Sequence, residues 1–363
     1  MRKKKHFDRT STSSAEIMTS RFDTLQRSLL NQLGKIAADR IFYFFGLIFL
    51  TALWLNLDYG PSQFHFFDWL FSGESRSLAE TIIWNIRLPR AIMCCLIGMS
   101  LAAAGVLSQG LFRNPLASPS VIGTSSGGVL AAVLTIYLGF GNLFYLIPLA
   151  GFVGALTSTI LVLYLTQRSL GFSIDRVLLT GFSLNTLVGA LTSFILSLSL
   201  ENYEKAPMIL NWMMGSFSGK GWEHIGAAIV PLGIGLIMAK HIAYRLNILT
   251  LGNDIAQSLG VSWHKIRILA IIAIALLVGA SVSLVGLLPF LGLIVPHITR
   301  RLVGPEHRRL LFGSVINGMS LALLADFLAR QVWQPRELQV GVLISLVGSP
   351  LFLWLLWRRQ DQQ

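Results

Sequence analysis

Apolar stretches about 20 residues long recur from end to end of this chain, and no other feature restricts its fold so severely. That length is what a helix needs to cross a bilayer core of about 30 Å. Inside hydrocarbon every backbone N–H and C=O must be paired within the protein, so only helices and closed barrels can span. The runs here are too long and too free of alternation to be barrel strands. Composition agrees: hydrophobic residues are 53% and charged residues 13% of the chain, whereas soluble domains carry about a quarter charged. The fold class expected is an all-α polytopic membrane protein.

Ten spans are predicted, at residues 41–57, 91–111, 121–138, 143–166, 177–200, 223–242, 268–288, 292–302, 310–329 and 340–357. The eighth is short and contains Pro296, so a break is expected there. The domain organisation that follows is an N-terminal tail at 1–40, a transmembrane domain at 41–357 and a C-terminal tail at 358–363. The first tail opens Arg2-Lys3-Lys4-Lys5 and continues Ser/Thr-rich. It lacks the short apolar core and cleavage site of a secretory signal directly after the basic residues. Part of it, near 22–36, can form an amphipathic helix.

The net charge of +12 does not indicate nucleic acid, because the basic residues lie between apolar segments and are not interleaved with aromatics on a soluble domain. They read as topology signals. With the N-terminus inside, inner segments hold 22 of the 29 Lys and Arg and outer segments 7. Both termini, Asp254 and Arg308 are therefore expected in the cytoplasm, and Glu74, Lys220 and Arg336 outside. Cys94 and Cys95 are adjacent within an apolar run, which suits small buried thiols better than a disulfide or a metal site.

The second and seventh spans echo one another. Gly98-Met-Ser-Leu-Ala-Ala-Ala-Gly105 and Gly279-Ala-Ser-Val-Ser-Leu-Val-Gly286 place glycine, serine and glycine at the same offsets. These spans run in opposite directions, so the halves form an inverted repeat of the kind found in transporters. Helix packing by small residues is the alternative source of such an echo.

Three segments are neither span nor plain loop. Residues 112–120 carry two prolines at the inner side. Outer residues 201–222 include a candidate interfacial helix at 208–215. The inner loop 244–267 contains a short helix at 255–259, with Asn253 or Asp254 to cap its start, Gly260 as a left-handed stop and Ser262 to cap the next helix. From these residues alone, a rigid handle for a partner and a compact surface loop are both open.

These segments resemble the FecCD family of permeases, which serve binding-protein-dependent ABC importers of iron-siderophores, haem and vitamin B12. The matching stretches are Arg87-Leu-Pro-Arg90, Gln109-Gly-Leu-Phe-Arg-Asn-Pro-Leu-Ala117, Leu246-Asn-Ile-Leu-Thr-Leu-Gly252 with Ser258-Leu-Gly-Val261, Gly292-Leu-Ile-Val-Pro-His297, and Glu337-Leu-Gln-Val-Gly-Val342. They follow family order over roughly residues 80–357, leaving the N-terminal tail outside. The resemblance implies ten transmembrane helices per subunit, in a bacterial cytoplasmic membrane. It also implies a second permease subunit (an identical copy or a close paralogue), two ATPase subunits and a periplasmic or lipid-anchored substrate-binding protein. No Walker motif occurs in the chain, so ATP and Mg belong to the partner ATPase. This chain is then a non-enzymatic translocation subunit with no cofactor of its own.

Site residues follow from the same resemblance. Leu251, Gly252, Asp254, Ser258, Leu259, Gly260 and Val261 fall in the coupling helices that dock on the ATPase. Asn114, Pro115 and Leu116, with the loop near Ser173, fall at the cytoplasmic gate. The fifth span bears Gly181, Asn185, Gly189, Ser193 and Ser197 at four-residue steps, a small and polar face that winds by only about 40° per step. A path for a large hydrophilic chelate needs such a wall; helix packing is the other use of it. Arg87, Arg90 and Arg330 match arginines that receive acidic residues of the binding protein. Their other reading is snorkelling to headgroups, with Arg330 paired to Asp326.

Two other classes find little support. An ion-coupled secondary transporter needs intramembrane carboxylates. Asp326 is one of very few acids within a span, and Arg330 four residues on offers it a structural ion pair. An intramembrane enzyme needs a nucleophile–base pair or a metal cluster, and no HExxH, paired-Asp or Ser/His spacing is present. His297, beside Pro296, suits packing or hydrogen bonding better than a metal site. Iron chelates (ferric siderophore or haem) are the substrates expected first, because they dominate the family, with cobalamin the alternative. Met208, Trp212, Met213, Met214 and Phe217 are candidates either for contact with an apolar chelate or for the lipid interface.

Overall fold

The structure, a computed structural model, describes residues 40–60, 80–141, 143, 145–167, 174–249, 253–258 and 262–360. The N-terminal tail before residue 40 lies outside them, as do Ser173, Leu251, Gly252, Leu259, Gly260 and Val261. Two compact units are found, Met1–Leu47 and Ile48–Gln363. In the first, the described residues begin helix α1 (Arg40–Asp58), with the rings of Phe42 and Phe45 edge-on at 6.0 Å. All that follows concerns the second unit.

Twelve helices are described. After α1 come α2 (Glu80–Leu111), α3 (Thr124–Tyr137), α4 (Leu146–Gln167), α5 (Ile174–Ser199), the short α6 (Lys205–Met213) and α7 (Trp222–Leu249). Then follow the short α8 (Asn253–Ser258), α9 (Trp263–Val285), α10 (Leu291–Val303), α11 (His307–Gln331) and α12 (Val340–Gln360). Removing α6 and α8 leaves ten, each overlapping one expected span. Seven of them are long and apolar enough to cross a bilayer unaided; α3 and α12 are shorter in their apolar part, and α10 is short but runs unbroken through Pro296, contrary to the break expected there.

α2 and α9 form the centre, and most of each is buried. The inverted echo is visible in their partners. α2 packs on α11 as α9 packs on α4; α3 lies on α4 as α10 lies on α11. Likewise α2 meets α10 as α9 meets α3, and α3 meets α5 as α10 meets α12. Each of these pairs maps onto its counterpart when α2–α5 and α9–α12 are exchanged. The echo glycines explain the closest of these contacts. A Cβ on Gly98 would run into the carbonyl oxygen of Gly318 in α11, and one on Gly105 into that of Gly292 in α10. Gly279 sits against Ala155 of α4, the counterpart of the Gly98 contact. Gly286 breaks the correspondence: it lies just past the end of α9 with φ 76°, a turn conformation that glycine adopts without strain.

α2 opens with a π-helical turn, Ile83–Arg87, followed by Pro89. Proline brings no N–H, which frees a carbonyl in the preceding turn. The indole N–H of Trp222, at the start of α7, donates to the carbonyl of Trp84 at 2.9 Å.

Candidate functional site

Two regions of the bundle concentrate polar groups. The first is the end formed by the start of α2, the end of α11 and the 332–339 connection. Arg90 donates from Nε and Nη2 to Asp326 at 2.9–3.1 Å, and from Nη1 and Nη2 to Glu337 at 3.0 Å. Arg330 pairs with Asp326 at 3.2 Å, and Asn56 adds a donor to the same carboxylate at 3.1 Å. Arg87 and the same Arg330 close the end of α1. Arg87 Nη1 donates to the carbonyls of Leu57 and Asp58, both at 2.8 Å, while Arg330 donates to those of Asn56 and Tyr59, both at 3.1 Å.

This overturns the surface placement expected of Arg87, Arg90 and Arg330. They are 3%, 7% and 4% exposed, and their donors are engaged inside the chain. The physical reason is that the last carbonyls of a helix lack intrahelical partners and carry the negative end of its dipole, so α1 draws in two arginines. A carboxylate buried as deeply as Asp326 needs two more donors than its i+4 neighbour supplies. The Arg330–Asp326 pair was legible from spacing. Arg90 and Asn56 were not assigned to it, although a polar residue such as Asn56 within an apolar span is itself a signal. Glu337, which entered only as part of a quoted stretch, is the outermost member. Burial would raise its carboxyl, but the hydrogen bonds from Arg90 prevail and hold it below the ordinary carboxylate range.

The second region is the opposite end, where α2 stops. Asn114 forms a local turn: its Oδ1 accepts from the N–H of Leu116 at 2.9 Å, and its carbonyl from that of Ala117 at 3.0 Å. Arg113, at φ 50°, ends the helix and donates to the carbonyl of Leu249 at 2.6 Å, closing the end of α7. Gln109, buried, donates to the carbonyl of Leu293 at 3.1 Å and accepts from Arg300 at 3.2 Å, which ties α2 to α10. Asn247 accepts from both the backbone N–H of His307 at 2.9 Å and its ring Nδ1 at 2.7 Å, fixing α7 to α11. Gln109 lay inside a quoted stretch without a role, and Asn247 likewise.

The proline-rich segment of this end reaches α5. Ser118 starts a single turn, Pro119–Ile122, and Asn185 of α5 donates to the carbonyl of Ser120 at 3.3 Å. The hydroxyl of Ser126 donates to Asn185 Oδ1 at 2.6 Å. Gly181 lies where a Cβ would strike the carbonyl oxygen of Val121. Thus Asn114, Pro115 and Leu116 are on the segment that Asn185 holds. Farther along α5, Gly189, Ser193 and Ser197 are exposed, and a Cβ on Gly189 would meet nothing.

In the 250–261 loop the short helix begins at Asn253, two residues before its expected start, and ends at Ser258. It lies beside α7 and α9, with Ala256 buried and Gln257 and Ser258 exposed. Ser262 stands at the N-cap of α9 with extended backbone, but its side chain makes no capping bond, contrary to expectation. Among the described residues no group of three His, Cys, Asp or Glu could hold a metal, and Cys94 and Cys95 are free thiols.

Comparison with known proteins reaches the same architecture. Residues 46–358 match the FecCD transport family. The chain belongs to that family. It is 38% identical over 317 residues to the vitamin B12 import system permease protein BtuC of Yersinia enterocolitica, covering 86% of this chain and 91% of that one. It is 36% identical over 293 residues to the ABC transporter permease protein YvrB of Bacillus subtilis, named as uncharacterised, covering 79% and 82%. Among solved structures, an ABC transporter described as of metal-chelate type, in an inward-facing conformation, superposes with a TM-score of 0.79 at 31% identity, over 88% of this chain and 99% of that one. PsaBC of Streptococcus pneumoniae shares the fold, with a TM-score of 0.55 at 17% identity over 73% and 89%. This FecCD member is therefore a multi-pass transport permease subunit.

Proposed function

We propose that the chain is the membrane permease of an ABC importer that carries a large metal chelate across a bacterial cytoplasmic membrane. The observation that carries this reading is the uncovered face of α5. On α2, α3 and α9 small residues let this chain's helices touch, yet Gly189, Ser193 and Ser197 of α5 are exposed, and a Cβ on Gly189 would meet none of the described residues. A second permease subunit set against α5 and α12 would turn that face into the wall of a path. Small neutral polar groups there neither bind a bulky solute tightly nor repel its water. Asn185 links the path to the segment bearing Asn114, Pro115 and Leu116, so a gate at that end can move with α5. The loop with Asp254, Ser258 and Gly260 would dock on the separate ATPase, and Leu251, Gly252, Leu259 and Val261 would complete that surface. The excess of basic residues in segments on the Arg113 side favours the cytoplasm for that end and for both termini.

The Arg90–Glu337 end would receive a substrate-binding protein, with Glu337 and the 332–339 connection nearest to it. The naming of the Yersinia relatives favours cobalamin as the cargo. The metal-chelate type of the superposed transporter favours the broader class, in which ferric siderophores and haem stand second. The test is reconstitution in proteoliposomes with the cognate ATPase and binding protein. Uptake of labelled cobalamin, haem and ferric siderophores is compared with and without ATP. ATP-dependent accumulation of one chelate is expected; accumulation that follows an imposed ion gradient and ignores ATP would overturn the reading. Gly260→Val should leave insertion intact and abolish stimulation of the ATPase, because a β-branched residue would resist the left-handed stop that the sequence leads one to expect there.

A further inference from the structure

A groove of about 480 Å³ runs between α4 and α7 and includes none of the polar-network residues described above. α9 supplies its floor through Ala280 and Ser283, both buried. The serine hydroxyl donates to the carbonyl of Ala280 at 3.0 Å, so the floor offers no free polar group of its own. The rim is apolar and open: Leu149 of α4 is 58% exposed and Val230 of α7 is 62% exposed.

Its length and width restrict what can lie in it. From His224 to Ile234 the groove follows α7 for about 15 Å at 1.5 Å per residue. That is half of a hydrocarbon core of about 30 Å, the depth of one leaflet. Such a volume and length suit a single hydrocarbon chain laid along the groove.

The mouth is marked by exposed aromatic rings, the residue type that membrane proteins place at the interface. Trp84 and Trp222 pack there with ring centres 5.7 Å apart, and both are exposed, as is Tyr145 at the start of the groove. Lys220, half-buried, lies within electrostatic reach of His224, which lines the groove. Among the described residues no carboxylate pairs with Lys220, and the nearby Glu223 is exposed without a salt bridge to it.

We propose that this groove is a lipid site, holding one acyl chain of an anionic phospholipid from the leaflet at that end, with Lys220 at the phosphate. The purified chain is assembled into nanodiscs of equal phosphatidylglycerol and phosphatidylethanolamine, released into mild detergent and weighed by native mass spectrometry. Retained lipid is expected, with phosphatidylglycerol preferred about fivefold, the effect of one basic residue near a membrane surface. Ala227 is exposed on the groove wall, so Ala227→Trp should block the groove and remove the retained lipid at unchanged melting temperature. Lys220→Gln should keep the lipid and lose the headgroup preference. Equal retention by Ala227→Trp and wild type overturns the proposal. So does equal headgroup preference in Lys220→Gln and wild type, which decides the matter if Ala227→Trp does not fold. A photoreactive residue at position 227 that cross-links to a second copy of the chain, and not to lipid, also overturns it.

Discussion

α2 and α5 are both long apolar helices studded with small residues, yet they live in opposite surroundings. Most of α2 is buried among α7, α9, α10 and α11, and its Gly98 and Gly105 touch the backbones of α11 and α10. α5 keeps most of its surface uncovered, including Phe182, Phe194 and the Gly189–Ser193–Ser197 face. The same residue types therefore serve different ends. On α2 they permit close approach within the chain; on α5 only Gly181 does so, and Gly189, Ser193 and Ser197 stay uncovered. α2 also carries the charged partner of Asp326, whereas Asn185, the polar anchor of α5, is neutral and only half-buried.

The contrast is broken most forcefully at Arg90. Arg90→Ala leaves Asp326 buried with half its donors, and removing one member of a buried pair costs about 3–5 kcal/mol. The yield of monodisperse subunit in detergent should fall sharply, and Arg90→Ala with Asp326→Asn should recover part of it. If Arg90→Ala is as stable as wild type, the network does not hold the end of the bundle together. Next comes Gly105→Ala, whose methyl group meets the Gly292 carbonyl. Overpacking of this kind costs about 1–3 kcal/mol, and a lowered melting temperature should report it.

Gly189→Leu on α5 sharpens the comparison from the other side. Its stability should change by no more than about 0.5 kcal/mol, as for an exposed site, while ATP-dependent uptake in proteoliposomes is lost. Equal loss of stability in Gly189→Leu and Gly105→Ala would erase the distinction between the two helices. The smallest effect concerns Lys220, whose ammonium is pushed down to about 8 by burial, from 10.5 when free. Between these values the unfolded chain binds more protons than the folded one, so stability rises with pH across that window. In lipid-stripped detergent the melting temperature of wild type should climb from pH 8 to 10.5 relative to Lys220→Gln; parallel curves would show that the ammonium is not desolvated.

The spans were legible because hydrocarbon leaves a backbone no alternative to the helix, so length and apolarity suffice to mark each one. The inverted repeat was legible because close helix contact demands small residues, and Gly98 and Gly279 serve equivalent contacts. The Asp326–Arg330 pair was legible because helical spacing alone brings residues four apart together. Arg87 and Arg90 were misread as surface charges because their partners, Leu57, Asp58, Asp326 and Glu337, are distant in sequence or belong to the backbone. Whether an arginine near a span end faces water or a helix terminus depends on which other helix stops beside it. The same holds for Gln109 and Asn247, whose partners come from other helices. The sequence by itself therefore determined the class, the span order and the local pairs, since those depend on the solvent and on neighbours along one helix. Only tertiary structure decided which polar groups meet across helices, because burial and helix-end geometry arise when separate segments pack.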